Sequence, residues 1–120
     1  SIMKNILLLL IMFTFTVTAQ ESIKPQFEKE GNLTKVTFFH DNGVKAQTGY
    51  LKDNKRHGNW ISYNRSGKKV SMGSFQSDLK NGQWFFWNEN DLIEVIYQDN
   101  KIVNVLEWNN SENKLIAKND

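Results

Sequence analysis

The sequence predicts an all-β fold: a single-layer, twisted antiparallel meander of about seven strands built from 24-residue β-hairpin units. Three observations predict it. Gly58-Asn59-Trp60 returns after 24 residues as Gly82-Gln83-Trp84, and a fixed period of this size is typical of repeat architectures. Short β-branched and aromatic runs alternate with turn residues. Beyond the N-terminal apolar run, no segment carries apolar residues at helical spacing over three turns.

The N-terminal segment has the pattern of a secretory signal peptide. Lys4 precedes the apolar run Ile6–Val17, and small residues follow it up to Ala19. The run is shorter than the roughly 20 residues that a membrane-spanning helix needs, which favours a signal peptide over an anchor. We expect residues 1–19 to be removed near Ala19 and the protein to be exported, periplasmic or secreted, in a bacterium.

The remaining chain divides into an arm, a sheet and a tail. Residues 20–32 are polar and predict an N-terminal arm or a cap that lays Ile23 and Phe27 over the first strand. Residues 109–120 form a C-terminal tail, and its one apolar cluster, Leu115-Ile116-Ala117, is the predicted cap at the other end. Residues 33–108 contain seven strand-like runs: Thr34–Phe39, Val44–Lys52, Asn59–Tyr63, Lys68–Gln76, Gln83–Trp87, Leu92–Gln98 and Ile102–Trp108.

Strand alternation predicts two aromatic ladders on opposite faces of the sheet. Val36, Trp60 and Trp84 belong to one ladder, and Phe39, Tyr63 and Trp87 to the other. Gly49 and Gly73 leave room for a ring from the next strand. Because one layer cannot bury both of its faces, exposed rings predict an interaction surface. The alternative is that the rings pack only on each other and on the caps. The candidate binding residues are Trp60, Tyr63, Trp84, Trp87, Phe39 and Phe86.

The glycine–aromatic units resemble a known repeat family. One unit contains Phe39-His40-Asp41-Asn42-Gly43, Thr48-Gly49-Tyr50-Leu51 and Gly58-Asn59-Trp60. The next contains Tyr63-Asn64-Arg65-Ser66-Gly67, Met72-Gly73-Ser74-Phe75 and Gly82-Gln83-Trp84, and a third, degenerate unit begins at Trp87. They resemble MORN (membrane occupation and recognition nexus) repeats, and more closely the MORN-like repeats of the bacterial YwqK-type antitoxin components. The resemblance implies a hairpin-repeat sheet and a role in neutralising a toxin. Leu51 and Asp91 depart from the family pattern.

The residues offer little for catalysis or metal binding. His40 and His57 have Asn64 and Asn81 as their counterparts one unit later, which indicates turn-flanking polar residues. Zinc needs three or four ligands, and the chain has no cysteine. We therefore predict no catalytic residues, no metal site and no cofactor. A small hydrolase or transferase is the weakest of the alternatives.

The charge balance bears on the partner. Without Lys4 the chain has 14 basic and 13 acidic residues, a balance that argues against a dedicated nucleic-acid binder. We expect a non-enzymatic protein-interaction or envelope-scaffolding module with a protein partner. The alternative is association with a membrane surface through an aromatic and lysine-bearing face. A homo-oligomer also stays open.

Overall fold

The computed structural model describes residues 22–109 and 114–118, and in this part of the chain all regular structure is β-strand. The strands form one antiparallel meander in which each pairs with its neighbours in sequence. This confirms the predicted all-β, single-layer fold. The nine strands are β1 (Gln26–Glu30), β2 (Leu33–Phe39), β3 (Lys45–Lys52), β4 (Lys55–Tyr63), β5 (Lys69–Gln76), β6 (Leu79–Asn88), β7 (Asp91–Gln98), β8 (Lys101–Asn109) and β9 (Lys114–Lys118).

The two outermost strands extend the sheet beyond the predicted limits. β1 pairs with β2, with Phe27 opposite Val36, and β9 pairs with β8. The Gln26–Glu30 part of the predicted arm therefore lies beside the first predicted strand and not over it, and Phe27 is 62% exposed. Backbone groups at a sheet edge gain hydrogen bonds from an added strand, which explains why both flanking segments join the sheet. The predicted signal peptide falls outside the described residues. Within those residues no helix is long and apolar enough to cross a membrane.

Five of the described strand pairs are joined by two-residue turns, and in three of these, which we call the tight turns, both turn residues are left-handed. Asp53 and Asn54 have φ of 51° and 63°, and Ser77–Asp78 and Asp99–Asn100 repeat this pair of left-handed residues. Two consecutive residues of this kind make the turn that matches strand twist, and Asn and Asp tolerate it well. β4 and β6 consequently start at Lys55 and Leu79, four residues before the predicted starts. The pairing of β4 with β3 and the pairing of β6 with β5 each contain a register shift.

One face of the sheet contains the core. Its buried residues are Val36, Trp60, Phe75, Trp84 and Val95. Strand pairing places them on one side, because Val36 lies opposite Gly49, Trp60 opposite Gly73 and Trp84 opposite Val95. The predicted ladder of Val36, Trp60 and Trp84 is thus present in the core cluster. We call this side the core face and the opposite side the aromatic face.

Candidate functional site

Two of the six candidate binding residues are structural. Trp60 and Trp84 are only 3% and 4% exposed. Each indole lies directly over a glycine of the preceding strand: a Cβ at Gly49 would be 2.0 Å from Trp60 Cδ2, and one at Gly73 would be 2.0 Å from Trp84 Cδ2. Each Nε1 donates a hydrogen bond of 3.0 Å to a backbone carbonyl, of Tyr50 and Ser74 respectively. These rings fill the core face and are out of reach of a partner.

Phe86 belongs to the same side. It stacks on Trp84 with ring centroids 6.1 Å apart, and Lys80 Nζ lies 5.8 Å from its ring. Lys80 also lies 5.4 Å from Trp84 and 5.1 Å from Tyr97, while the Arg56 guanidinium lies 4.1 Å from the ring of Phe75. Cations over ring faces are attracted by the negative charge of the π system. On the core face, Arg56 and Lys80 therefore lie over part of the aromatic cluster.

The remaining candidates lie on the aromatic face. Phe39, Tyr63 and Trp87 are each half-buried at the ends of β2, β4 and β6. All three ends lie at the same edge of the sheet, because these strands run in the same direction. Phe85 stacks beside Trp87 with ring centroids 6.0 Å apart. The structure thus brings together three of the six candidates and separates them from the other three.

Trp108 is not among the six candidates predicted from the sequence, and it extends this set. The 24-residue interval from Trp84 would place Trp108 on the core face. In the structure Leu92 lies opposite both Trp87 and Trp108, which puts the two indoles on the aromatic face on either side of Leu92. The pairing of β7 with β8 shifts between Ile96 and Tyr97, and this shift differs from those in the earlier hairpins. Trp108 is 42% exposed.

We call Phe39, Tyr63, Trp87 and Trp108 the aromatic row. The row crosses the sheet from β2 to β8, with one ring on every second strand. Ile61 and Met72, which are paired across β4 and β5, continue the apolar surface towards the centre of the same face. Within the described residues, which form a single layer, no other element packs over either face of the sheet.

Side-chain bonds between successive hairpins hold the row in place. At the edge near the row, His40 Nε2 donates to the carbonyl oxygen of Tyr63 at 2.8 Å, and Asn42 Nδ2 donates to that of Arg65 at 3.0 Å. An ion pair joins Arg65 to Asp41. His40 therefore positions the strand end that carries Tyr63. Among the described residues, no three His, Asp or Glu side chains are grouped to hold a metal ion.

The opposite edge is held by Arg56 and Asp78. Asp78 Oδ1 accepts hydrogen bonds from the Arg56 backbone N–H at 2.7 Å and from Arg56 Nε at 3.1 Å. These bonds, the backbone one first, lower the pKa of Asp78 below its ordinary value of 3.8. One hairpin later, Asn100 Oδ1 accepts the equivalent bond from the Lys80 N–H at 2.8 Å.

This contact predicts an acid-sensitive contribution to stability. Because the folded pKa of Asp78 is the lower one, the contribution is complete above pH 3.8 and disappears as the pH falls through the folded pKa. Asp78→Asn should keep the backbone bond, as Asn100 does, and lose the pH dependence. Urea midpoints measured between about pH 5 and pH 2 should fall more steeply for the parent than for the variant. Parallel curves would show that the carboxylate contributes nothing through its charge.

Comparison with protein-family models and with curated protein sequences finds no match.

Proposed function

We propose that this protein is a non-enzymatic binding module that docks a protein partner on its aromatic face. The observation that supports this is the aromatic row, Phe39, Tyr63, Trp87 and Trp108, on one face of a single-layer sheet. Apolar side chains that remain accessible together on one face of a folded protein are typical of an interaction site.

The geometry of the row suits a flat protein interface. Neighbouring strands lie about 4.8 Å apart, so rings on every second strand are spaced by about 10 Å. Trp and Tyr are enriched among the residues that dominate binding energy. The strand ends that carry Tyr63 and Trp87 are also held on the sheet, by the His40 hydrogen bond and by the pairing of Trp87 with Leu92. A preorganised surface loses little conformational entropy on binding.

The family resemblance supports the same proposal. The glycine–indole contact of Gly49 with Trp60 recurs in Gly73 with Trp84, with the same bond from each indole to a backbone carbonyl. This recurrence supports a MORN-like hairpin repeat as the building unit. With the signal peptide that the N-terminal sequence predicts, we propose an exported scaffolding protein of the bacterial envelope. An antitoxin-like role, in which the partner is a toxin, falls within this proposal.

Affinity capture with two variants tests the aromatic row. Envelope extract is passed over the parent protein, over Tyr63→Ala/Trp87→Ala and over Phe38→Ala. Phe38 is the matched control, because it is an exposed ring in β2 on the core face. Truncating two central rings should weaken binding of the captured partner at least about tenfold, and Phe38→Ala should leave it unchanged.

Far-UV circular dichroism must show that both variants keep the β-sheet signal of the parent. Dissociation constants are then measured with the purified partner. Equal affinity of the parent and the folded Tyr63→Ala/Trp87→Ala variant would contradict the proposal.

Membrane association is the second candidate function. Lys35 lies on the aromatic face opposite Tyr50, and Lys52 and Lys55 flank the first tight turn. Exposed lysines beside aromatic rings suit an anionic lipid surface. Flotation with phosphatidylglycerol vesicles at low and high salt separates this function from protein docking, because salt screens the lysine contribution.

A further inference from the structure

A cleft at the tight-turn edge of the sheet contains unpaired positive charge. It lies between the turn that joins β3 to β4 and the turn that joins β5 to β6. Lys52, Lys55, Arg56 and His57 line one side, and Gln76 and Ser77 line the other. Strand alternation places Lys52, Lys55 and His57 on the aromatic face, since His57 pairs with Tyr50. The cleft and the aromatic row therefore open on the same side of the sheet.

The two lysines oppose each other directly. Lys52 pairs with Lys55 across the turn, and like charges in this position are destabilising. Within the described part of the chain, neither ammonium group has a hydrogen bond or a close ion pair, and Lys55 acts on Asp78 only at longer range. A bound anion would remove the repulsion.

Lys52 differs from the residues that occupy the same position before the other two tight turns. The equivalent pairs are Gln76 with Leu79 and Gln98 with Lys101. Glutamine therefore satisfies the structural demands of this position in two hairpins of the same chain. The lysine at position 52 adds a charge that the turn does not need, and this indicates a role in binding.

The charge of the cleft limits the kind of anion. The Arg56 guanidinium forms an ion pair with Asp78, and the negative charge of Asp53 at the turn balances that of one of the two lysines. About one positive charge is left for a ligand. A carboxylate carries one negative charge, whereas a phosphate monoester carries nearly two at neutral pH. The Gln76 amide and the Ser77 hydroxyl can donate further hydrogen bonds to carboxylate oxygens.

We propose that this cleft binds a carboxylate of the protein partner, either an Asp or Glu side chain or the chain terminus. The aromatic row then holds apolar residues of the same partner. The identity of the ligand as part of a protein rests on the docking role proposed above. The anion site itself does not, and it can be tested without the partner.

Titration of the ¹⁵N-labelled protein with acetate tests the site, with neutral acetamide as the control ligand. Acetate should cause saturable shifts in the backbone amides of residues 55–57 and 76–77, and acetamide should not. Lys52→Gln should weaken acetate binding about fivefold, the upper end of what an exposed ion pair contributes. Asp53→Asn should tighten binding, because it removes the opposing carboxylate from the cleft.

Lys101→Gln is the matched control, because Lys101 follows a tight turn as Lys55 does but has Gln98 opposite it. It should leave acetate binding unchanged. Lys52→Gln should also raise the urea midpoint of the ligand-free protein, since it removes a repulsion. The absence of saturable shifts, equal binding by the parent and Lys52→Gln, or a lower urea midpoint for Lys52→Gln would each overturn the proposal.

Two further ligands distinguish the source of the anion. An acidic peptide should compete with acetate for the cleft, whereas inorganic phosphate and phosphatidylglycerol vesicles should bind no more tightly than acetate. Preferential binding of phosphate or of the vesicles would replace the protein carboxylate with a phosphate or a lipid headgroup and overturn this assignment. Tyr63→Ala/Trp87→Ala should retain acetate binding, so failure of the docking role and failure of the anion site give different results.

Discussion

Gly73→Ala should destabilise the protein by about 3 kcal/mol or more, a large part of the 5–15 kcal/mol that holds a typical domain together. A Cβ at this position would lie 2.0 Å from Trp84 Cδ2 and 2.3 Å from Trp84 Cε2. The indole must therefore move out of the core face, and its Nε1 bond to the Ser74 carbonyl is lost with it. The free-energy costs of overpacking and of losing a buried hydrogen bond add together in this variant. Urea denaturation followed by tryptophan fluorescence measures the loss.

Gly58 provides the control, because its backbone conformation, and not a neighbouring side chain, favours glycine at that position. Its φ is +69°, and an added Cβ would meet no atom within 4 Å. Gly58→Ala should cost about 1 kcal/mol through backbone strain, and Gly58→Asn less, since Asn tolerates left-handed conformations. Gly73→Asn should bring no such recovery. Equal losses at positions 58 and 73 would contradict the view that the Trp84 ring determines the cost.

Phe75→Ala should cost about 3–5 kcal/mol, the usual range for removing a buried phenyl ring. Phe75 is 5% exposed and lies edge-on to two indoles, with centroids 6.1 Å from Trp60 and 4.9 Å from Trp84. It also supports the Arg56 guanidinium on its outer face. Truncation therefore leaves a gap between the two glycine–indole contacts and removes a cation–π contact.

Phe27→Ala is the matched control for this variant. The same side chain is removed, but Phe27 lies on the edge strand β1 and is 62% exposed. Phe27→Ala should lower the free energy of unfolding by less than about 1 kcal/mol, because little apolar area leaves water on folding at this position. Similar midpoints for the two variants would show that the core cluster is not where the sheet obtains its stability.

The sequence was sufficient to predict the fold class and the ladder of Val36, Trp60 and Trp84, although it did not show that this ladder is the buried one. The interval between Gly58-Asn59-Trp60 and Gly82-Gln83-Trp84, with the pattern of turn residues, defined a meander of hairpins. Trp60 and Trp84 were correctly placed in one ladder with Val36, because strand alternation holds within each unit. The start of β4 at Lys55 was missed, since the tendency of Asp53-Asn54 to form a two-residue turn depends on the flanking strands.

The candidate site was harder to predict from the sequence than the fold. Which aromatic residues face outwards depends on the register shifts between strands, and a shift is a property of the pair that one strand does not reveal. Trp108 illustrates this, because its 24-residue spacing from Trp84 points to the core face and its pairing opposite Leu92 puts it on the aromatic face. The same limit applies to the cleft, since Lys52 and Gln76 are brought together only by the pairing of three strands.

Oxidative footprinting of the tryptophans tests the central claim most directly, because the four tryptophans of the chain divide equally between the two faces. Hydroxyl-radical labelling of the free protein should modify Trp87 and Trp108 and spare Trp60 and Trp84. In the complex with the captured partner, modification of Trp87 and Trp108 should fall while Trp60 and Trp84 stay protected. Unchanged labelling of Trp87 and Trp108 in the complex, or strong labelling of Trp60 and Trp84 in the free protein, would contradict the division into a core face and an aromatic binding face.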